Sequence, residues 1–179
     1  MKSGSPRSRG GRAALALERI IAGGQTGVDR AALDAAEVAG LARGGWCPPG
    51  RAADDGVIPA AYPLSETPEE RSPSAPGVPR SLRTEWNVRD ADAVLVLRPA
   101  APLDPGTEWT ICCAARYRRP LLVCELPGAG AEARARAWLA ALRVRTLDVA
   151  GPSERARPGI AAQARAFLDR VLGSPTGSR

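Results

Sequence analysis

The residues best placed for chemistry lie in Ile20-Ile21-Ala22-Gly23-Gly24-Gln25-Thr26-Gly27-Val28-Asp29-Arg30, which reads as a strand, a glycine-rich turn and a helix start. Gly23 and Gly24 permit a tight turn, and Thr26 with Asp29 stands at the spacing of a capping box. A helix that starts this way offers backbone N–H groups and the positive end of its dipole to a phosphate or similar anion. Two nucleotide motifs are excluded. No Lys-Ser/Thr pair follows Gly27, as a P-loop needs, and the paired glycines do not fit G-x-G-x-x-G. A plain capped helix and an anion site both fit what remains. The charge of Asp29 opposes an anion unless Arg30 or a metal ion offsets it.

Other chemistries are excluded by composition. The chain has no histidine, which removes Ser-His and Cys-His pairs and His-ligated zinc. Its four cysteines, Cys47, Cys112, Cys113 and Cys124, form no C-x-x-C pair and read as reduced cytoplasmic thiols. Cys112 and Cys113 read as small apolar filling on a buried helix, the alternative being a soft-metal thiolate contact. Of the net charge of +6, four positive charges (Lys2, Arg7, Arg9 and Arg12) fall in the first twelve residues, where there are no acids, leaving +2 for the remainder. A folded nucleic-acid surface is therefore not implied, although an arginine tail binding DNA by charge is a separate reading. No apolar run reaches the ~20 residues of a membrane span.

A chain of 179 residues suffices for one domain that buries roughly 68–70% of its unfolded surface. Residues 1–14 read as a disordered basic tail, 15–173 as the ligand-binding domain and 174–179 as a second tail. Strands are expected at about 17–22, 93–97, 121–126 and 145–149. Helices are expected at about 27–41, 84–90, 107–117 and 132–142, and from Pro158 to Gly173. Between residues 44 and 80 lies a long Gly- and Pro-rich loop. Its Trp46, Arg51 and Tyr62 either cover a ligand or pin a surface excursion, and 72–79 reads as linker. Alternating strands and helices predict an α/β, Rossmann-like open parallel sheet of about five strands with helices on both faces. In such a sheet the strand-to-helix turns share the carboxyl edge, so Gly23–Asp29, Pro105–Thr110 and Gly151–Arg155 should converge there. That convergence favours a ligand site over three unrelated capped helices.

The same residues carry a family likeness. Gly23 through Asp34, Gly45-Trp46-Cys47-Pro48 with Gly50-Arg51, Tyr62-Pro63-Leu64 with Glu66, Arg83-Thr84-Glu85 with Asn87-Val88, and Val149-Ala150-Gly151-Pro152 stand in order from about Ile20 to Leu172. In these the chain resembles the molybdenum carrier (molybdenum cofactor carrier protein) family, a circularly permuted YpsA-type branch of the SLOG superfamily of Rossmann-like nucleotide-binding domains. The resemblance implies a small cytoplasmic homo-oligomer, a tetramer, that binds molybdenum cofactor (molybdopterin) or a related nucleotide-like anion and passes it to a molybdoenzyme acceptor. Carried over by position, the site would comprise Gly23, Gly24, Gln25, Thr26, Gly27, Asp29, Arg30, Arg51, Arg83, Gly106, Thr107, Thr110, Gly151, Pro152, Ser153 and Arg155. The chain departs from the family at two places. The usual Asn-Val-Ala-Gly-Pro-Arg-Glu-Ser run reads Asp148-Val149-Ala150-Gly151-Pro152-Ser153-Glu154-Arg155, and Asp104-Pro105 stands beside the Gly106-Thr107 pair.

Two classes of function follow. One is a carrier that binds an anion without catalysis. The other is an enzyme similar to the superfamily's nucleoside-monophosphate phosphoribohydrolases, whose Gly-x-Gly-Thr-x-x-Glu turn supplies a glutamate to the scissile N-glycosidic bond. Here that position is Thr110, and Glu108, two residues earlier, would project about 200° away around a helix.

Overall fold

A computed structural model of the chain describes residues 15–173, and the two predicted tails, including the arginine tail of the DNA reading, lie outside that range. Short β-branched and apolar runs make the strands of the main sheet, apart from the edge strand Ala42–Gly44. β1 (Arg19–Ile21) leads into α1 (Val28–Val38), which returns to β2 (Ala42–Gly44). After the 44–80 segment come α2 (Ser81–Asp90), a β-strand at Ala93–Arg98, α3 (Pro105–Arg116), a strand at Leu121–Glu125, α4 (Ala131–Leu142), a strand at Thr146–Ala150 and α5 (Ile160–Leu172).

The 44–80 segment is built rather than loose. β3 (Trp46–Cys47) pairs parallel with β6 (Ser65–Glu66), and β4 (Ala52–Ala53) pairs antiparallel with β5 (Gly56–Val57) in a hairpin whose tip is Asp54-Asp55. Counting onward, the three later strands of the main sheet are β7 (Ala93–Arg98), β8 (Leu121–Glu125) and β9 (Thr146–Ala150). The sheet is parallel throughout, in the order β2-β1-β9-β7-β8. Register pairs Ile21 with Asp148, and Val94 with Asp148 on the other side, so β9 lies in the middle.

Alternation along β7 divides the core. Leu95 and Leu97 pack with Val28, Leu139 and Phe167 from α1, α4 and α5, while Val94 and Val96 pack with Val88 and Cys113 from α2 and α3. The chain is therefore an α/β, Rossmann-like parallel sheet with helices on both faces. Because β1, β9 and β7 are neighbours, the turns that follow them emerge side by side at the carboxyl edge.

Several local expectations need correction. β2 was not among the expected strands, since its three residues carry Arg43 and sit at the sheet's edge. The cap of α1 is Gly27 and not Thr26, whose hydroxyl is buried without a hydrogen-bond partner. α2 begins three residues before the predicted Thr84, and α5 begins after Pro158, with the Glu154 carboxylate accepting the N–H groups of Gly159 and Ala161. Cys113 is buried as expected, with burial first and then the charge of Glu85 pushing its thiol up to about 12, but Cys112 is exposed.

Residues 72–79 are more than linker. Ser72 is buried and donates to the Glu85 carboxylate, which also accepts from Tyr117 Oη at 2.6 Å. Arg51 staples the same segment, donating to the carbonyls of Ile58, Pro59, Tyr62 and Leu64 at 2.9–3.1 Å. Trp46 turns to α2, donating from Nε1 to Asp90 at 2.7 Å and packing edge-on against Trp86.

Candidate functional site

The three turns do meet at the carboxyl edge, around a cleft of about 260 Å3. Its floor is set by the start of α1. Asp29 is buried, and one of its carboxylate oxygens accepts from Gln25 N at 3.2 Å and from Arg83 Nη1 at 2.8 Å. Arg83 reaches Asp29 from α2 because residue 23 is glycine. A Cβ there would fall 1.7 Å from Arg83 Nη1. Gly151 likewise lets the turn after β9 press on β7, since a Cβ would fall 2.2 Å from the Leu97 carbonyl oxygen.

Asp148 is the residue that spacing did not single out. It is buried on β9, its carboxyl pushed well above the usual range by burial first and then by the charge of Asp29, with Arg83 opposing. Burial also raises Asp29, against the pull of Arg83. The offset that Asp29 requires thus comes from Arg83, 54 positions along the chain, and not from Arg30. The visible clue to Asp148 is a lone acid between Leu147 and Val149 in an otherwise apolar strand.

Two further groups frame the cleft. Arg80 Nη1 donates to Asp54 Oδ1 at 2.9 Å, and Gln25 Oε1 accepts from the N–H groups of Asp54 and Thr26. Those two acceptances fix the orientation of the Gln25 amide and leave its Nε2 buried without a partner, as is Arg83 Nε. Burial pushes the Asp54 carboxyl up, but hydrogen bonds from Arg80 and Ser153 and the charges of Arg80 and Arg155 outweigh it and hold the group below the usual range. On the far wall, Asp104 caps α3 by accepting from Thr107 N at 3.0 Å and Thr107 Oγ1 at 2.7 Å, while Thr110 Oγ1 donates to the Gly106 carbonyl.

The chain's own groups fill much of what the glycine turn was expected to offer. Gln25 N, Thr26 N and Val28 N are taken by Asp29, the Gln25 side chain and the Pro152 carbonyl. An anion therefore finds side-chain donors at this rim more readily than a ring of free backbone N–H groups.

The predicted residues divide between two places. Gln25, Asp29, Arg83, Gly106, Thr107, Thr110, Gly151 and Ser153 line the cleft, with Val78 and Pro79 from the supposed linker. Thr26, Gly27, Arg30 and Arg155 line a second, wider cavity of about 740 Å3 on the other side of Asp54. Gly23, Gly24, Arg51 and Pro152 line neither, and shape the turns and the loop beside them. Glu108 is exposed and lines neither, whereas Thr110 is buried in the cleft wall. Among the described residues no three His, Cys, Asp or Glu side chains gather to hold a metal ion, and no helix is long and apolar enough to cross a membrane.

No curated protein matches the chain. A crystal structure of "Putative molybdenum carrier protein" from Syntrophus aciditrophicus SB superposes with a TM-score of 0.78 at 35% identity, covering 88% of this chain and 96% of that one. Residues 20–172 match the family described as circularly permutated YpsA SLOG. With most of its length matched, the chain belongs to the circularly permutated YpsA SLOG family.

Proposed function

We propose that the protein binds and carries an anionic, nucleotide-like ligand, molybdenum cofactor or a close relative, in the cleft at the carboxyl edge, without catalysing its conversion. The observation that carries this reading is the alternation of cations and carboxylates around the cleft. Arg80 and Arg83 stand beside Asp29, Asp54 and Asp104, with the unpartnered Gln25 Nε2 and Arg83 Nε close behind. A pterin phosphate offers both kinds of group. Its phosphate suits the arginines, and the N–H groups along its ring edge suit the carboxylates. The residues present therefore fit such a cargo.

Support for binding without conversion comes from the absence of a placed acid at Thr110 and from the outward position of Glu108. Asp29, the cleft's most buried carboxylate, is tied to Arg83. By family likeness the same reading includes a cytoplasmic homotetramer and a molybdoenzyme acceptor. Isothermal titration of the intact chain with molybdopterin, molybdate and common nucleotides tests it. Saturable sub-millimolar binding of molybdopterin, with no free base released from the nucleotides, is expected. Absence of binding to every one of them would remove the reading.

A further inference from the structure

The cleft and the wider cavity share one wall. Asp54, at the tip of the β4–β5 hairpin, lines both. Either side of it the same two turns change faces. Gln25 and Ser153 look into the cleft, while their neighbours Thr26 and Glu154 look into the wider cavity. The two spaces thus adjoin along one groove at the carboxyl edge, on either side of the hairpin tip, whose Asp54 N–H donates to Gln25 Oε1 and whose carboxylate takes Arg80.

The wider half has the groups that recognise a base. Arg30 is held by Asp55 through two hydrogen bonds of 2.6 and 2.8 Å, and its guanidinium lies 5.9 Å from the centre of the Tyr62 ring. Tyr62 Oη donates to Oδ1 of Asp34 at 3.0 Å, which leaves the second oxygen of that carboxylate to accept. The hydroxyl of Thr26 is buried here with no hydrogen-bond partner. Arg155 is exposed at this half and faces the Asp54 carboxylate through charge. A carboxylate beside an aromatic ring favours a base with N–H donors on its edge, as guanine has, over one that presents acceptors.

We propose that this groove takes a two-part ligand, a dinucleotide with a pterin-like half in the cleft and a guanine-like half beside Tyr62 and Asp34. Its phosphate bridge crosses at Asp54, between Arg80 and Arg155, the two cations that now face that carboxylate. This rests on the binding function proposed above and specifies the form of the cargo.

The test compares the mononucleotide and guanine-dinucleotide forms of molybdopterin by isothermal titration, on the full chain and on Ala161→Trp, which places a large ring in the wider cavity from the second residue of α5. The dinucleotide form is expected to bind the full chain at least about tenfold more tightly, an order set by one extra set of polar contacts. In Ala161→Trp that advantage should vanish while the mononucleotide binds as before, which also shows that the variant is folded. Equal binding of the two forms by the full chain, or an advantage that survives Ala161→Trp, overturns the two-part ligand and leaves the carrier reading standing. Binding of neither form removes the carrier reading and this one with it.

Discussion

Arg83→Ala is expected to destabilise the protein by about 3–5 kcal/mol, the cost of breaking a buried ion pair by removing one partner. Arg83 is the cation in contact with Asp29, and its charge also acts on Asp148. Without it the buried carboxyl of Asp29, in the first turn of α1, has no counter-charge beside Asp148 on β9 and is driven further toward its protonated form. Gly23→Ala should reach the same end by another route, because the new Cβ would occupy the place of the Arg83 guanidinium. The two substitutions therefore should not add. A double variant no less stable than Arg83→Ala alone, measured by denaturant unfolding, is the signature of a shared mechanism. Full additivity would mean that Gly23 matters for its backbone and not for the arginine above it.

Asp148→Asn is expected to raise stability, increasingly so as pH climbs. The folded protein holds Asp148 protonated where the unfolded chain, with an aspartate near pKa ~3.9, has released the proton. The folded state binds more protons across that window, so this group's contribution is complete below the unfolded value and is lost as pH rises toward the raised folded one. At full slope the loss is about 1.4 kcal/mol per pH unit. Asp54, Glu85 and Asp90 act in the opposite sense, since their folded values are lowered and their stabilisation is lost on acidification. Comparing wild type with Asp148→Asn cancels those shared terms. The difference between the two unfolding free energies should be smallest near the unfolded aspartate's value of about 4 and grow as pH rises above it. A difference that stays flat would show that Asp148 is ionised in the fold.

How much of this was legible in the sequence depends on how local the cause is. β7 announces itself as an apolar run bounded by turns, β9 as Leu147 and Val149 ahead of the Gly151-Pro152 turn, and the chain order alone puts their turns on one edge. β2 does not, because three residues at an edge owe their pairing to β1 and not to their own composition. Thr26 and Asp29 have the spacing of a capping box, yet the fold spends Asp29 on Arg83 and seals the hydroxyl of Thr26. Nothing at that spacing reveals a partner 54 positions away. Gly23 and Gly24 read as residues that permit a tight turn, and spacing gives no sign that the Arg83 side chain lies where a Cβ of residue 23 would be. Likewise the convergent turns were legible, while their division into two cavities was not, because it depends on where a hairpin inside the 44–80 segment places Asp54. Arg51 illustrates the same limit: its charge suggests a ligand contact, and its surroundings make it a clamp on backbone carbonyls.

Cofactor content after purification from a cofactor-replete host measures the central claim most directly. Pterin and molybdenum released on denaturation would be assayed in the intact chain and in Ala156→Trp, whose new ring stands at an exposed position on the cleft wall. Near-stoichiometric pterin in the intact chain, falling to less than about a tenth in Ala156→Trp, is the predicted result, a loss equivalent to more than one decade in affinity. Pterin absent from both, or present equally in both, would contradict a ligand site at this edge of the sheet.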